Sequence, residues 1–334
     1  MQRHPIPKIV PKAENCSLTI LKNGSNHGSM AAKKSKIKLR IVQSWQLYVI
    51  LLAPFLWLII FRYVPMYGLQ LAFKNFRSSQ GIWGSPWVGL THFKRFFTSP
   101  SSWMVIRNTV TLSLYSIAAS FPFAIILALC LNEVLNEKSK KFIQTVTYAP
   151  YFISTVVMVS IIFQILDPRI GIINRIIMLF GGKSKNFMAL PQYFSHIYVW
   201  SGVWQSNGYN AIIYLAALSA VNPELHEAAI VDGCNKFQRI WYIDLPQIKP
   251  TIIIMLILNM GYVMSIGFEK VYLMQNPLNI EASEVMSTYI YRVGLINFDY
   301  SYSTAISFIN SIINLVLLIT VNTIAKKLGE EGLW

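Results

Sequence analysis

Charge is scarce in this sequence: Asp, Glu, Lys and Arg make up 13% of its 334 residues. Soluble globular chains carry about twice that share, so a water-solvated fold is the first class to fall. Cysteine is scarcer still. Cys16, Cys130 and Cys234 are too few and too scattered for a disulfide framework or a thiolate metal site. Cys130 lies within an apolar run and reads as a small buried residue. The five histidines show neither HxxxH nor HxxE spacing, which argues against a metal site. Asp167, Asp244 and Asp299 stand isolated, and no cluster of acids, histidines and nucleophiles suggests a membrane enzyme. Neither GxxxxGKS nor GxxxxGKT occurs, so the chain has no P-loop of its own for ATP.

What the sequence does have is apolar length, with 54% of residues hydrophobic and clustered in runs. Backbone polar groups in hydrocarbon must bond within their own segment, so such runs should be helices. Six reach the roughly 20 residues that a span needs: 45–64, 108–131, 145–166, 196–220, 251–274 and 302–325. The fourth is the weakest, because Ser201, Gln205, Ser206, Asn207 and Asn210 interrupt it. The centres of the spans are nearly free of charge. A secondary transporter coupled to protons or sodium, the main alternative, would bury ionisable groups there. The net charge of +15 forms no single stripe with interleaved aromatics, so nucleic acid is not an expected partner. Many of the basic residues flank the apolar runs, where they would meet lipid headgroups.

Residues 1–44 read as a basic, disordered tail on the cytoplasmic side, with Met30 a candidate for the natural start. Lys33, Lys34, Lys36, Lys38 and Arg40 precede the first span, and Lys326 and Lys327 follow the last. Both termini are therefore expected inside, with the permease domain over 45–325 and a short tail over 326–334. The loop from Arg62 to Arg107 falls outside on this count, although it holds six basic residues. Its aromatics, Phe73, Phe76, Trp83, Trp87, Phe93, Phe96 and Phe97, are expected to lie along the outer interface.

Between the fourth and fifth spans, 221–250 has a different texture. Asn222-Pro223-Glu224 supplies a capping residue, a proline at the first helical position and an acid in the first turn. Gly233 permits a left-handed turn, and Phe237 to Tyr242 can form a second short stretch that Pro246 would end. The segment thus predicts a helix-turn-helix elbow on the cytoplasmic face. His226 beside it reads as a solvated loop histidine.

Within the elbow stand Glu227-Ala228-Ala229, then Gly233 after three residues, Ile243 after nine more, and Leu245-Pro246 after one. This spacing resembles the EAA signature of ABC importer permeases along its full length. Asp232, Phe237 and Pro250 extend the likeness toward sugar importers related to the maltose permease. Tyr63-Val64-Pro65-Met66-Tyr67-Gly68 resembles the start of that family's core. Gly267-Phe268-Glu269-Lys270-Val271-Tyr272, Asn276-Pro277 and Gly329-Glu330-Glu331-Gly332-Leu333-Trp334 are similar to a branch that handles oligosaccharides derived from polysaccharides.

The resemblance implies an all-α integral membrane protein of the type I importer fold, with six spans and no catalytic chemistry. It also implies a homologous second permease, a cytoplasmic ATPase dimer that binds the ATP, and an extracytoplasmic sugar-binding protein, in a bacterial cell membrane. Glu227, Ala228, Ala229, Asp232, Gly233, Leu245 and Pro246 would couple to the ATPase. Sugars are held by aromatic faces, amides and hydroxyls, which nominates Trp200, Trp204, Gln205, Asn207, Asn210, Asn259, Tyr262, Asn310 and Asn314. Asn207 and Asn210, three apart, would share a helix face. The plainer reading of each amide is a bond between neighbouring helices. Glu269 and Lys270, toward the outer end of the fifth run, read equally as a gate, a docking point or interfacial anchors.

Overall fold

The computed structural model describes residues 44–327, 329 and 332. The predicted basic tail lies outside these residues apart from Ser44, as does most of 328–334. Every regular element described is helical, and sheet-type pairing is confined to two isolated bridges, Lys74–Trp87 and Arg77–Gly81.

The chain divides after Met66 into two units. The first contains α1, Trp45–Leu58, whose turns widen to i→i+5 bonding over Ile59–Tyr63. The second is a helical bundle. It comprises α2 (Thr91–Thr98), α3 (Pro100–Asn132), α4 (Glu137–Tyr148), α5 (Thr155–Leu166) and α6 (Ile172–Leu179). There follow α7 (Pro191–Leu218), α8 (Pro223–Val231), α9 (Lys236–Met260), α10 (Phe268–Met274), α11 (Met286–Tyr291) and α12 (Tyr300–Lys327).

The six apolar runs are helical in the main, but two are not simple rods. By length and composition, Trp45–Phe73, Pro100–Asn132, Lys236–Met260 and Tyr300–Lys327 can each cross a bilayer. The third predicted run is split: Glu137–Phe152 and Thr155–Leu166 meet at 98°, and together they make a fifth candidate. Pro150 lacks the N–H that a continuing helix would use. Ser154 then restarts the chain by accepting a bond from the Val157 amide at 3.4 Å. The 28 residues of α7 are long enough to cross but too polar to join that set, which is the weakness visible in its sequence. A count of six crossings therefore does not follow from helix length and composition alone.

The fifth run is displaced. The helix begins at Lys236 rather than at Thr251 and stops at Met260, and α10 is a separate short helix. Pro246 does not end the second elbow stretch, as the sequence suggested. It sits at the start of Leu245–Met260, just after i→i+5 turns over Ile240–Asp244. That widened turn takes up the clash a proline ring makes with the preceding turn.

Three apolar clusters hold the bundle together. Near its centre Leu112, Val159, Phe194, Tyr198, Val203, Val271 and Met274 join α3, α5, α7 and α10. Phe96, Met286, Tyr289, Tyr302 and Ile306 fill the end beside α2. Ala128, Leu131, Ala211, Tyr214, Leu218 and Ile248 fill the end beside α8. The outer-loop aromatics divide in two. Trp83, Trp87 and Phe97 are exposed, as an interfacial loop requires, but Phe96 is fully buried. Phe73 and Phe93 lie 5.2 Å apart and both pack on Phe308 of α12. Three of these seven rings, Phe73, Phe93 and Phe96, therefore pin the loop to the bundle instead of meeting lipid.

Candidate functional site at the elbow and between the helices

At the elbow, Asn222 caps α8 by accepting a bond from the Glu224 amide at 3.1 Å. The helix ends in a Schellman arrangement: the Cys234 amide reaches Ala229 O at 2.9 Å and the Gly233 amide reaches Ile230 O at 3.0 Å. Gly233 takes φ +81°, the left-handed turn expected of it. The chain re-enters helix through a capping box that the sequence reading missed. Gln238 N–H donates to Asn235 Oδ1 at 2.9 Å, and Asn235 N–H donates to Gln238 Oε1 at 2.7 Å. The N-x-x-Q spacing carried that signal.

The elbow's exposed face is apolar. Leu225, Ile230, Val231, Phe237, Trp241 and Tyr242 are all exposed, with Val231 at 86% and Phe237 at 83%. Glu227, Ala228, Asp232 and Pro246 are exposed among them, while Ala229 and Leu245 are half-buried. Polar side-chain contacts fix the elbow to its neighbours. His226 Nε2 lies 3.3 Å from Asp244 Oδ1, whose side chain is 1% exposed, and Lys236 Nζ lies 3.7 Å from Glu133 Oε2 at the foot of α3. Neither His226 nor Asp244 is the isolated, solvated group that the sequence suggested, because the turn at Gly233 folds their two helices together. Arg95 likewise claims Asp299, at 2.7 Å.

The nominated cargo residues fall in different places. Asn210 and Asn259 line a cavity of about 210 Å³ between α3, α7 and α9, with Ser116, Ser120 and Tyr214. Trp200, Trp204 and Asn207 line a second, about 450 Å³ and mostly apolar, between α3, α4 and α7. Three residues advance a helix by about 300°, leaving about 60° between their directions. Here that difference separates Asn207 from Asn210. Asn207 is 1% exposed and bonded twice across to α3, from Ser120 Oγ at 2.6 Å and to Ser120 O at 3.1 Å. Gln205 bonds Ile153 O at 2.9 Å, and Asn314 bonds the Met264 amide and Ser265 Oγ, each at 2.9 Å.

Trp200 Nε1 donates to Tyr115 Oη at 3.0 Å, and Tyr115 in turn bonds His196 Nδ1 at 2.9 Å. Tyr262 and Asn310 line neither cavity. Tyr262 is 72% exposed, and Asn310 Oδ1 is buried with no partner. Lys270 donates to Tyr198 O at 2.7 Å and sits 4.5 Å over its ring, so it anchors α10 to α7, whereas Glu269 is exposed.

These contacts show which of the nominated amides are engaged in packing between helices. Replacing Asn207 with Leu, or Ser120 with Ala, is expected to lower thermal stability by about 0.6–1.7 kcal/mol, the range for interhelical polar pairs in membranes. The double variant should cost less than the sum, because both changes break one pair. Thermal unfolding in detergent reads this out, and additive losses would show that the two side chains act independently.

A helical bundle with helices long and apolar enough to cross a membrane, an apolar elbow at one end and a small cavity of mixed polar and apolar lining between its helices has the parts of a transport subunit. The model of the family described as binding-protein-dependent transport system inner membrane component matches residues 120–330, and the chain belongs to that family. A polygalacturonan/rhamnogalacturonan transport system permease protein, YteP of Bacillus subtilis, is 41% identical over 90% of this chain and 94% of its own length. Protein LplB of the same organism is 39% identical over 98% of this chain and 100% of its own. A bacterial alginate ABC transporter, crystallised with an alginate pentasaccharide-bound periplasmic protein, has a chain 37% identical. It superposes with a TM-score of 0.82 over 88% of this chain and 98% of that one. The protein is thus a permease subunit of a carbohydrate ABC importer and a multi-pass membrane protein. It is a transport subunit rather than an enzyme, which sets aside the ion-coupled alternative.

Proposed function

We propose that the chain works as one of two homologous permeases above a cytoplasmic ATPase dimer, with both termini inside, and that an extracytoplasmic binding protein delivers its oligosaccharide. The observation that carries this reading is the elbow, where large apolar side chains and the Glu227 carboxylate stand exposed beside the His226–Asp244 contact that anchors it. Exposed apolar surface rimmed by polar groups marks a protein interface. Glu227, Ala228, Ala229, Asp232, Gly233, Leu245 and Pro246 are the residues we assign to ATPase coupling. ATP binds the ATPase, and its closure favours one orientation of the bundle because the elbow binds the two ATPase states unequally.

For the cargo route we choose the cavity of about 210 Å³: serines, asparagines and a tyrosine meet there among apolar side chains and without a charge, which suits both the hydroxyls and the faces of a sugar ring. We place Asn210 and Asn259 on this route. Trp200, Trp204 and Asn207 belong to the apolar second cavity, and Tyr262 and Asn310 lie outside both. Acidic oligosaccharides are the favoured cargo, since the names of both YteP and the alginate importer refer to acidic polysaccharides.

Co-purification from detergent followed by uptake in vesicles tests the reading. A second permease and an ATPase should accompany the chain, and ATP-dependent uptake of an oligogalacturonate should follow. A chain that purifies alone and moves solute without ATP would overturn the assembly proposed.

A further inference from the structure

The end of the bundle opposite the elbow holds a polar cavity of about 470 Å³ that the proposed transport route does not use. Arg95, Tyr289, Arg292, Asn297, Asp299 and Tyr302 line it. Its position follows from α3. The foot of that helix adjoins the Lys236–Glu133 ion pair of the elbow, while Arg95 lies just before its start. With 33 residues at 1.5 Å each, α3 separates the two ends by about 50 Å.

Both guanidiniums are held in place and still accessible. Arg95 bonds Asp299 at 2.7 Å and lies 4.0 Å over the Tyr302 ring, with its side chain 56% exposed. Arg292 bonds Glu284 and lies 5.7 Å over the Tyr289 ring, with its side chain 42% exposed. A guanidinium that commits one edge to a carboxylate keeps donors on the others. Glu284 is buried behind Arg292 and does not line the cavity, so the lining presents two guanidiniums against the single Asp299 carboxylate. The cavity offers donors, acceptors and aromatic edges together, in a volume within the roughly 300–1,000 Å³ of small-molecule sites.

A second observation lies on the rim. Phe298, between the lining residues Asn297 and Asp299, holds φ +57°, and it is the one non-glycine residue with positive φ among those described. Its ring is 70% exposed. A bulky residue held in the left-handed region is strained, and such strain gathers at binding sites. Here it sets the backbone between Asn297 and Asp299, while its ring packs edge-on against Tyr300 at 6.4 Å.

We propose that this cavity is an outer subsite that binds a sugar unit of the cargo before it reaches the cavity between α3, α7 and α9. The inference rests on the carbohydrate reading above. Hydroxyls that both donate and accept can satisfy Arg95, Arg292, Asn297 and Asp299 at once. Neutral sugars meet the amide, the carboxylate and the free guanidinium donors, and acidic sugars can also pair with the extra guanidinium.

The test uses the full chain in lipid nanodiscs, with saturation-transfer NMR on two probes, maltotriose and a galacturonate trisaccharide. Asn297→Ala removes an exposed amide, and Phe298→Gly relieves the backbone between Asn297 and Asp299. Both sugars should show transfer with the wild type, weakened roughly fivefold in each variant, the scale of one or two lost contacts. Unchanged transfer in both variants, with oligosaccharide uptake by the assembled importer intact, overturns the subsite and leaves the carbohydrate reading standing. Normal transfer but lost capture of the sugar-binding protein makes the cavity a protein dock and overturns it too. An assembled importer that moves no oligosaccharide at all removes the carbohydrate reading and the subsite with it.

Discussion

Glu227→Arg is expected to reduce ATP-dependent uptake by more than tenfold while leaving the chain folded in the membrane. Glu227 is exposed on a nine-residue helix whose neighbours Leu225, Ile230 and Val231 are exposed too, so the substitution disturbs nothing inside the bundle. What it changes is the charge offered to a docked partner. Like charges forced together at an interface cost several kcal/mol, and 1.4 kcal/mol is already tenfold in affinity. Gly233→Val should act by another route. A Cβ there would meet open space, but φ +81° disfavours any branched residue by about 1–2 kcal/mol. The Schellman turn would loosen and the elbow would lose its angle without a steric clash. Basal ATPase activity, uptake and co-purified ATPase are the three measurements. Full uptake with the ATPase still bound in both variants would show that the elbow carries no coupling.

The elbow was legible in the sequence because its signals are local. A capping asparagine before proline, an acid in the first turn and a glycine at the helix end each act within four residues. The spans were legible as solvent preference: apolar runs report hydrocarbon, whatever the path of the backbone inside it. For that reason the 98° bend between α4 and α5, and the break between α9 and α10, were not visible. Proline is a poor guide in such segments. Pro122 and Pro250 sit inside helices here, Pro246 begins a helical stretch, and Pro150 marks a break. Proline's missing donor matters only where nothing else satisfies the freed carbonyl.

Contacts distant in sequence were illegible for the ordinary reason that a sequence does not state them. His226 and Asp244 are 18 residues apart and meet only because Gly233 turns the chain. Arg95 and Asp299 belong to opposite ends of it. The cargo candidates show a finer failure. Residue type identified amides at membrane depth, but it could not say which of them already had partners. Asn207, at the edge of the second cavity, spends its amide on Ser120, whereas Asn210 lines the first.

Gly208→Ala is expected to be the most disruptive single methyl in the bundle. A Cβ at Gly208 would stand 1.9 Å from the Thr147 carbonyl oxygen and 2.4 Å from its carbon. Those are backbone atoms of α4, so no rotamer change relieves the overlap, and α4 and α7 must move apart. Small residues are what allow membrane helices to approach so closely. Overpacking of this kind costs about 1–3 kcal/mol and occasionally more, because the contacts flanking the wedge are lost with it. Val146, Thr147 and Pro150 also line the second cavity with Trp200 and Trp204, so that cavity should change shape as well. Gly202→Ala on the same helix is the comparison. Its Cβ would meet only the Lys270 Nζ, at 3.2 Å, the far end of a flexible side chain. Thermal unfolding in detergent should therefore fall sharply for Gly208→Ala and little for Gly202→Ala. Equal stability of the two variants would mean that α4 stands farther from α7 than these distances say, and that glycine at 208 serves something other than close approach.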